Sequence, residues 1–439
     1  MTHTEYAKTT VKKALCGVLA GMLTLCGPIS CGSGQTSAPA GSAEEDNAPA
    51  YGLYVYRMEE GAIGWNQPGI PYKVNLVSGR TTCVCTDPLC MHDTEECPFY
   101  ECNGCASGGE ILFYRRGMLS RNGNGFTGTE KLCACQVAEG KTRVLREYAD
   151  SLIFLGVRDD LLYYYTAEWE TEGDTLACTY RLHRADGRSG SVEDLPLPEI
   201  YRTDGGYIDA RDFPQILMFD EDGIYWTKTA EDLTTAIFRS GFDGENWTEI
   251  KTGVRTLAGV YSGGYGYSLR ISVELDDPGN RRGADGGAAK YSLTRTKLGL
   301  DEEPERIADD IGSSNFLVTD RYIFTVEGAS PVPEGVKVKT NPYSYGGDGG
   351  TEILNGCRVW RMNLDGSERT LAGETEEYFF AGRQGVPDKV LFDSYEDGDN
   401  VWLAFFFMEA DENGRLTLSG DTLILNTGTG EFTVSEFAG

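Results

Sequence analysis

One segment of the chain carries four residues whose types and spacing suit a metal ion. Cys85, Cys90, His92 and Cys97 follow the pattern Cys-x4-Cys-x-His-x4-Cys, which supplies three thiolates and an imidazole within thirteen residues. Three cysteines and one histidine form the ligand set of a structural, four-coordinate zinc site, and such a closed site leaves no open position for catalysis. The spacing therefore predicts structural zinc within a Cys-rich insert at residues 83–105.

The same region supports a second interpretation, in which the cysteines form disulfides. Eight cysteines, an even number, fall between residues 83 and 135, and an exported protein meets conditions that allow disulfides. The members outside the four-residue pattern are Cys83, Cys102, Cys105, Cys133 and Cys135. Cys83 with Cys85 and Cys133 with Cys135 are spaced two residues apart, so on strands each pair points to one face. Both interpretations stay open here, and both give the segment a structural role.

The rest of the sequence offers little material for catalysis. Past the N-terminal segment the histidines are His92 and His183, and we expect His183 to be a surface residue of a strand. The sequence carries no phosphate loop and no dinucleotide fingerprint. We therefore predict that the chain is not an enzyme, with a hydrolase using paired Asp and Glu as the alternative. Segments 220–223, 240–247 and 393–400, which approach calcium-loop or Asp-box patterns, are interpreted as turns.

The elements that must position these residues form a repeat. An apolar, aromatic run of period two is followed by the pattern Tyr/Trp-Arg-x-x-x-Asp-Gly, clearest in Val359–Gly366 and, with one more residue before the Asp, in Tyr180–Gly187. Asp-Gly supplies the positive φ that a two-residue hairpin needs, and the alternation places one strand face inward. The first halves lie at 52–56, 111–114, 161–165, 223–226, 265–269, 322–326 and 401–405, and the second halves at 72–79, 132–140, 180–187, 237–244, 291–299, 359–366 and 423–430.

The repeat predicts one all-β domain at residues 51–439, a single β-propeller. Seven copies in about 390 residues favour seven blades, with six or eight as alternatives and a two-domain β-sandwich as the competing fold. The repeated pattern resembles the TolB-like and low-density-lipoprotein-receptor-like propellers. The segment Cys85–Phe99 is similar to one found in uncharacterised lipoproteins of Gram-positive gut anaerobes. The resemblance implies fold and location, and brings no activity or catalytic residue with it.

The N-terminal residues have the layout of a secretory signal. Three lysines within the first thirteen residues precede an uncharged apolar stretch at 14–25, which is too short to span a bilayer. Cys31 follows a small residue, as in a bacterial lipobox, and Cys26 is the alternative lipidation site. We predict a lipoprotein signal peptide at 1–30 and a flexible linker at 31–50, which anchor the chain at the extracytoplasmic face of the cell membrane. A secreted product without lipid is the alternative.

Charge and loop composition constrain the partners. The formal net charge of −29 disfavours nucleic acid and anionic lipid, so we expect membrane contact through the lipid anchor only. Long insertions at 276–289 and 330–352 are either binding elements or disordered loops. We predict a surface-tethered binding or scaffold module for a protein or glycan partner. The alternatives are an extracytoplasmic carbohydrate hydrolase and a structural envelope subunit.

Overall fold

The computed structural model describes residues 54–58 and most of residues 70–437. The residues outside the description are 1–53, 59–69, 88, 109, 118, 123–124, 150, 173–174, 198–214, 230–234, 255–259, 272–290, 299–302, 313–314, 334–335, 339–350, 384–389, 411–414, 420 and 438–439. The predicted signal peptide, linker and lipidation site Cys31 lie outside the described residues, as do the insertion 276–289 and much of 330–352.

The described residues form strands and turns and no helix, and they divide into two compact units. The first unit includes 56–73 and 83–255, and the second includes 74–82 and 256–439. The chain begins with three strands, which are β1 (Tyr54–Met58), β2 (Pro71–Asn75) and β3 (Arg80–Cys83). No helix in the described part of the chain has the length and apolar character needed to cross a bilayer.

The first unit contains three successive antiparallel sheets of four strands. The first sheet consists of β4 (Cys102–Gly108), β5 (Ile111–Arg116), β8 (Glu130–Gln136) and β9 (Lys141–Tyr148), with the hairpin β6 (Leu119–Asn122) and β7 (Gly125–Gly128) inserted between β5 and β8. The second consists of β10 (Ser151–Arg158), β11 (Leu161–Glu172), β12 (Thr175–Asp186) and β13 (Val192–Leu195). The third consists of β14 (Gln215–Phe219), β15 (Ile224–Thr229), β16 (Thr235–Ser240) and β17 (Thr248–Val254).

The second unit repeats this pattern with one enlarged sheet. Its first sheet consists of β18 (Val260–Ser262), β19 (Tyr265–Ile271), β20 (Tyr291–Lys297) and β21 (Glu305–Ile311). The enlarged sheet contains β22 (Asn315–Val318), β23 (Tyr322–Glu327), β24 (Lys337–Val338), β25 (Thr351–Asn363), β26 (Thr370–Arg383), β29 (Met408–Ala410) and β30 (Arg415–Leu418). The last consists of β27 (Leu391–Asp397), β28 (Asn400–Phe405), β31 (Leu423–Asn426) and β32 (Glu431–Val434). The final strand β33 (Glu436–Phe437) pairs in parallel with Arg80 and Thr81 of β3.

Thirteen of the fourteen predicted half-repeats fall on inner strands of the sheets, and the exception, 52–56, reaches the edge strand β1. The predicted period of two is wrong for the inner strands β11 and β5. Residues 161–165 lie in β11, and Leu162 to Tyr165 are all buried. Ile111 to Tyr114 of β5 are likewise buried without alternation. A strand whose sheet is covered on both faces reads as a continuous apolar run, because neither face meets water.

Successive sheets within each unit are covered by face-to-face packing. Phe113 of β5 and Tyr164 of β11 share one core, and Tyr163 and Trp226 share the next. Each of these side chains is fully buried, which stabilises the fold by about 1.5–3 kcal/mol apiece. Stacked four-stranded antiparallel sheets are the units of β-propellers. The predicted all-β class is therefore confirmed, whereas the number of blades stays a prediction.

The turns between the third and fourth strands are longer than the predicted two-residue hairpins. Gln136 pairs with Lys141, so four residues form that loop, and the last of them is Gly140 with a φ of 62°. In the copy at Asp186, the glycine with positive φ is Gly190, at 82°, three residues after the Asp-Gly pair. A type I turn closed by a left-handed glycine accounts for such loops.

We expect two glycines with positive φ to respond differently to alanine. Gly366 (φ 82°) closes the turn that begins at Asn363, and a Cβ there would overlap the carbonyl oxygen of Ile307. Gly398 (φ 58°) has no atom within 4 Å of the same position. Gly398→Ala should cost about 1 kcal/mol of left-handed strain. Gly366→Ala should cost a further 1–3 kcal/mol or so, because backbone must also move.

Urea unfolding of the two variants measures the difference directly. Equal losses of unfolding free energy in both would contradict the packing of the Asn363 turn against Ile307.

Candidate metal centre

The four predicted ligands lie in an irregular loop between β3 and β4, and local hydrogen bonds shape it. The Asp87 carboxylate accepts a bond from the Leu89 amide at 2.9 Å, and the Asp87 carbonyl accepts one from the Cys90 amide at 3.2 Å. Further along, the Cys97 amide donates to the carbonyl of Thr94 at 3.0 Å. These tight turns fold the loop back on itself, because Asp favours turns that bond the backbone two residues ahead.

The loop brings Cys85, Cys90, His92 and Cys97 into one cluster. Their ligand atoms all lie within 4.8 Å of one another. A zinc–sulfur bond of about 2.3 Å in a tetrahedral site implies ligand separations of roughly 3.8 Å. Closing on an ion therefore requires movements of about 1 Å or less. The cluster could hold one four-coordinate ion, and the thiolate and imidazole donors suit zinc.

His92 and the thiols occupy a half-buried position at the base of the loop. Cys97 is 2% exposed and its sulfur accepts a hydrogen bond from the Phe99 amide at 3.4 Å. Burial raises the pKa of Cys97 to about 12 and also raises that of Cys85. His92 has a φ of 60°, a conformation that costs a non-glycine residue about 1–3 kcal/mol. At neutral pH the Cys85 and Cys97 thiols carry protons, so a bound metal must displace them.

A second group of thiols lies beneath the loop. Cys133 and Cys135 are buried on β8, and Cys133 pairs across the sheet with Tyr114. The Tyr114 hydroxyl donates to the carbonyl of Pro98 at 3.1 Å, and its ring lies 4.8 Å from that of Phe99. Burial raises the pKa of Cys135 to about 12 and that of Cys133 to about 11. All eight cysteines between residues 83 and 135, to which the disulfide interpretation applied, are free thiols.

The expectation that His183 lies at the surface is wrong. His183 is 2% exposed, and its ring stacks on that of Tyr164 at 5.0 Å. Its Nε2 lies 3.0 Å from the Thr166 hydroxyl and its Nδ1 lies 2.9 Å from the Asp194 carboxylate. Beside it the hydroxyls of Tyr148 and Tyr164 are 2.6 Å apart. Asp, His and Thr are thus connected in the order of a catalytic triad, but the Thr166 and His183 side chains are buried in the core.

The acidic segments behave as turns held by arginines. Glu396 and Asp399 both pair with Arg321, at 3.2 and 3.3 Å. Asp220 pairs with Arg239 at 3.0 Å. In 240–247, the Trp247 indole donates to the Gly244 carbonyl at 2.6 Å, which closes a hairpin turn.

The chain is similar in structure to several known proteins, but its sequence identity to them is low. Neither a protein-family model nor a curated protein sequence matches the chain. The β-propeller domain of the Trilobed protease from Pyrococcus furiosus is 11% identical, with 77% of this chain and 83% of that one covered and a TM-score of 0.40. The oligogalacturonate lyase from Vibrio parahaemolyticus is 12% identical, with 80% and 82% covered and a TM-score of 0.37. TolB from Acinetobacter baumannii is 12% identical, with 74% and 63% covered and a TM-score of 0.30.

These structural matches bear on two predictions, the absence of enzyme activity and the resemblance to TolB-like propellers. The chain spans only 26% of the tricorn protease, another match. A protease and a lyase are among the matched proteins, so the prediction that this chain is not an enzyme is wrong. At such identities no activity carries over. The TolB-like resemblance holds at the level of propeller proteins, and no match supports the finer one to lipoproteins of gut anaerobes.

We expect His183 to make the fold sensitive to mild acid. Burial lowers the pKa of His183 below its ordinary value of about 6.5, although the bond to Asp194 opposes the shift. The unfolded chain therefore binds this proton more readily, so stability is full above about pH 6.5 and falls as pH drops below it. His183→Asn should cost about 1–3 kcal/mol and flatten this dependence.

Unfolding free energies measured in urea between about pH 5.5 and 7.5 provide the comparison. A variant that kept the wild-type slope would show that other groups cause the acid sensitivity.

Proposed function

We propose that the chain is a lipid-anchored, extracytoplasmic propeller-type binding module whose Cys-rich loop is clamped by structural zinc and presents an apolar surface to a protein partner. The observation that carries the proposal is the pair Leu89 and Met91, which flank the candidate ligand Cys90 and are 88% and 79% exposed. The lipid anchor at Cys31 would hold this module at the outer face of the membrane.

Zinc would give the loop the rigidity that its own packing does not supply. Cys90 and His92 are half-buried and Cys97 is buried, so one ion would join the outer turns of the loop to the core. In this role zinc would cross-link the loop and would not act on a substrate, since protein side chains fill all four of its coordination positions. Asp87 shapes the turn that carries Cys90, and Phe99 donates to the Cys97 sulfur.

The apolar pair is unusual for its degree of exposure. The other large apolar side chains exposed in the described part of the chain reach at most 50%, as at Val77 and Val144. Adjacent exposed apolar side chains commonly mark interaction sites. A turn held by Asp87 and by metal would present Leu89 and Met91 in a fixed geometry, which reduces the entropy lost on binding.

The charges around the pair indicate the chemistry of the partner. Asp87, Asp93, Glu95 and Glu96 are exposed in the same loop, which Arg116 reaches by a hydrogen bond to the Glu95 carbonyl, so negative charge predominates. Such a surface repels anionic lipid, nucleic acid and a second copy of a chain with a net charge of −29. An apolar groove rimmed by lysine or arginine on another protein complements it.

Zinc binding is tested with one ligand variant and one matched control. We expect the full-length protein to bind one zinc ion per chain, Cys90→Ser to lose tight binding, and Cys105→Ser, outside the ligand set, to keep it. Zinc at a hundredfold its Kd should stabilise the wild type by about 2.7 kcal/mol. Zinc content after dialysis and unfolding with and without zinc report the two effects.

The pH dependence of this binding follows from the thiols. Because burial raises the pKa of Cys97 to about 12, zinc must displace its proton, and affinity should fall steadily as pH falls. Zinc affinity that did not change between pH 8 and about pH 5 would argue against thiolate ligands.

The apolar surface is tested with a helical peptide of leucine and lysine and with a scrambled peptide of equal composition. The wild type should bind the amphipathic peptide better than the scrambled one, and Leu89→Ser with Met91→Ser should weaken that preference by about tenfold. Leu371→Ser, at another exposed leucine, is the control. If the double variant keeps the preference, the binding surface lies elsewhere, and stronger binding to lipid vesicles would point to a membrane instead.

A further inference from the structure

A fourth cysteine touches the candidate metal centre without belonging to its ligand set. Cys83 is the last residue of β3, and its sulfur lies 3.6 Å from Nε2 of His92. The other ring nitrogen of His92, Nδ1, lies 3.3 Å from the sulfur of Cys97. The two nitrogens therefore face two different sulfurs, and only one of those sulfurs belongs to the four-residue cluster.

The cluster as a whole indicates which nitrogen faces the ion. Two donors on one tetrahedral ion with bonds of about 2.0–2.3 Å lie roughly 3.5 Å apart, and both sulfurs satisfy this, since Cys97 lies 3.3 Å from Nδ1 and Cys83 lies 3.6 Å from Nε2. The Cys97 sulfur belongs to the group that also contains Cys85 and Cys90, whereas Cys83 does not, which favours Nδ1 as the nitrogen that faces the ion. Nε2 is on the far side of the ring and cannot bind the same ion. A metal-bound histidine usually donates its second N–H to an acceptor in the surrounding shell.

We propose that His92 binds the metal through Nδ1 and that Cys83 is a positioning residue, whose sulfur accepts the Nε2–H of His92. This inference rests on the proposed zinc site. It assigns to Cys83 a role in fixing the tautomer and orientation of the imidazole, and the metal itself keeps three thiolates.

The surroundings of Cys83 fit this role. Its sulfur lies 3.9 Å from the carbonyl oxygen of Pro71, to which the thiol donates, and the same carbonyl accepts the Val84 amide at 3.0 Å. The thiol can therefore give its own proton to Pro71 while accepting one from His92. A chain of contacts then joins the ion to β2 through His92, Cys83 and Pro71, which ties the loop to regular structure at a second point.

The tautomer of His92 is measured by long-range nitrogen–proton NMR of the zinc-loaded full-length protein. The chain contains three histidines, and His92→Gln assigns the signal. We expect a metal-bound Nδ1 and a protonated Nε2. The opposite tautomer would overturn the proposal. A protein that takes up no zinc would instead contradict the proposed zinc site, which the zinc content reveals separately.

Two variants of Cys83 separate positioning from ligation. Cys83→Val removes the acceptor at similar size and should weaken Co²⁺ affinity about 10–100-fold, whereas Cys83→Ser, which still accepts a hydrogen bond, should restore most of it. Both should keep the sulfur-to-cobalt absorption intensity of three thiolates, as should the control Cys105→Val. If Cys83→Val lost the sulfur-to-cobalt absorption of one thiolate, Cys83 would be a metal ligand. If its Co²⁺ affinity equalled that of the wild type, Cys83 would not position His92.

Discussion

The structure depends on the burial of its inner strands on both faces. A strand such as β11, in which Leu162 to Tyr165 are all buried, is stable only when its sheet is covered on each side. Successive sheets within a unit provide this cover for one another, as the cores around Phe113 and around Trp226 show. A polar side chain in such a core is stabilised when it is hydrogen-bonded, as His183 is through Thr166 and Asp194.

The Cys-rich loop is not stabilised by burial on both faces. Its inner residues Cys97 and Phe99 pack on the sheet below, but its outer residues Leu89 and Met91 contribute no burial. The loop therefore relies on turns and on contacts among its thiols and His92. A single ion would replace those weak contacts with strong bonds, and the loop would then present a fixed surface without a core of its own.

The sequence predicts the strands and the ligand cluster well because both depend on local patterns. All but one of the fourteen half-repeats fall on inner strands, and the four residues of the Cys-x4-Cys-x-His-x4-Cys pattern meet in space. The environment of His183 could not be predicted, since Thr166 and Asp194 lie 17 and 11 residues away and meet it only across the sheet. The contact of Cys83 with His92 depends similarly on where β3 ends.

In the proposed centre one ion binds the thiols of Cys85, Cys90 and Cys97 together with His92. X-ray absorption at the zinc edge of the loaded full-length protein measures this coordination shell. We expect three sulfur atoms at about 2.3 Å and one nitrogen at about 2.0–2.1 Å. A shell of oxygen and nitrogen without sulfur, or a protein that retains no zinc, would contradict the proposed centre.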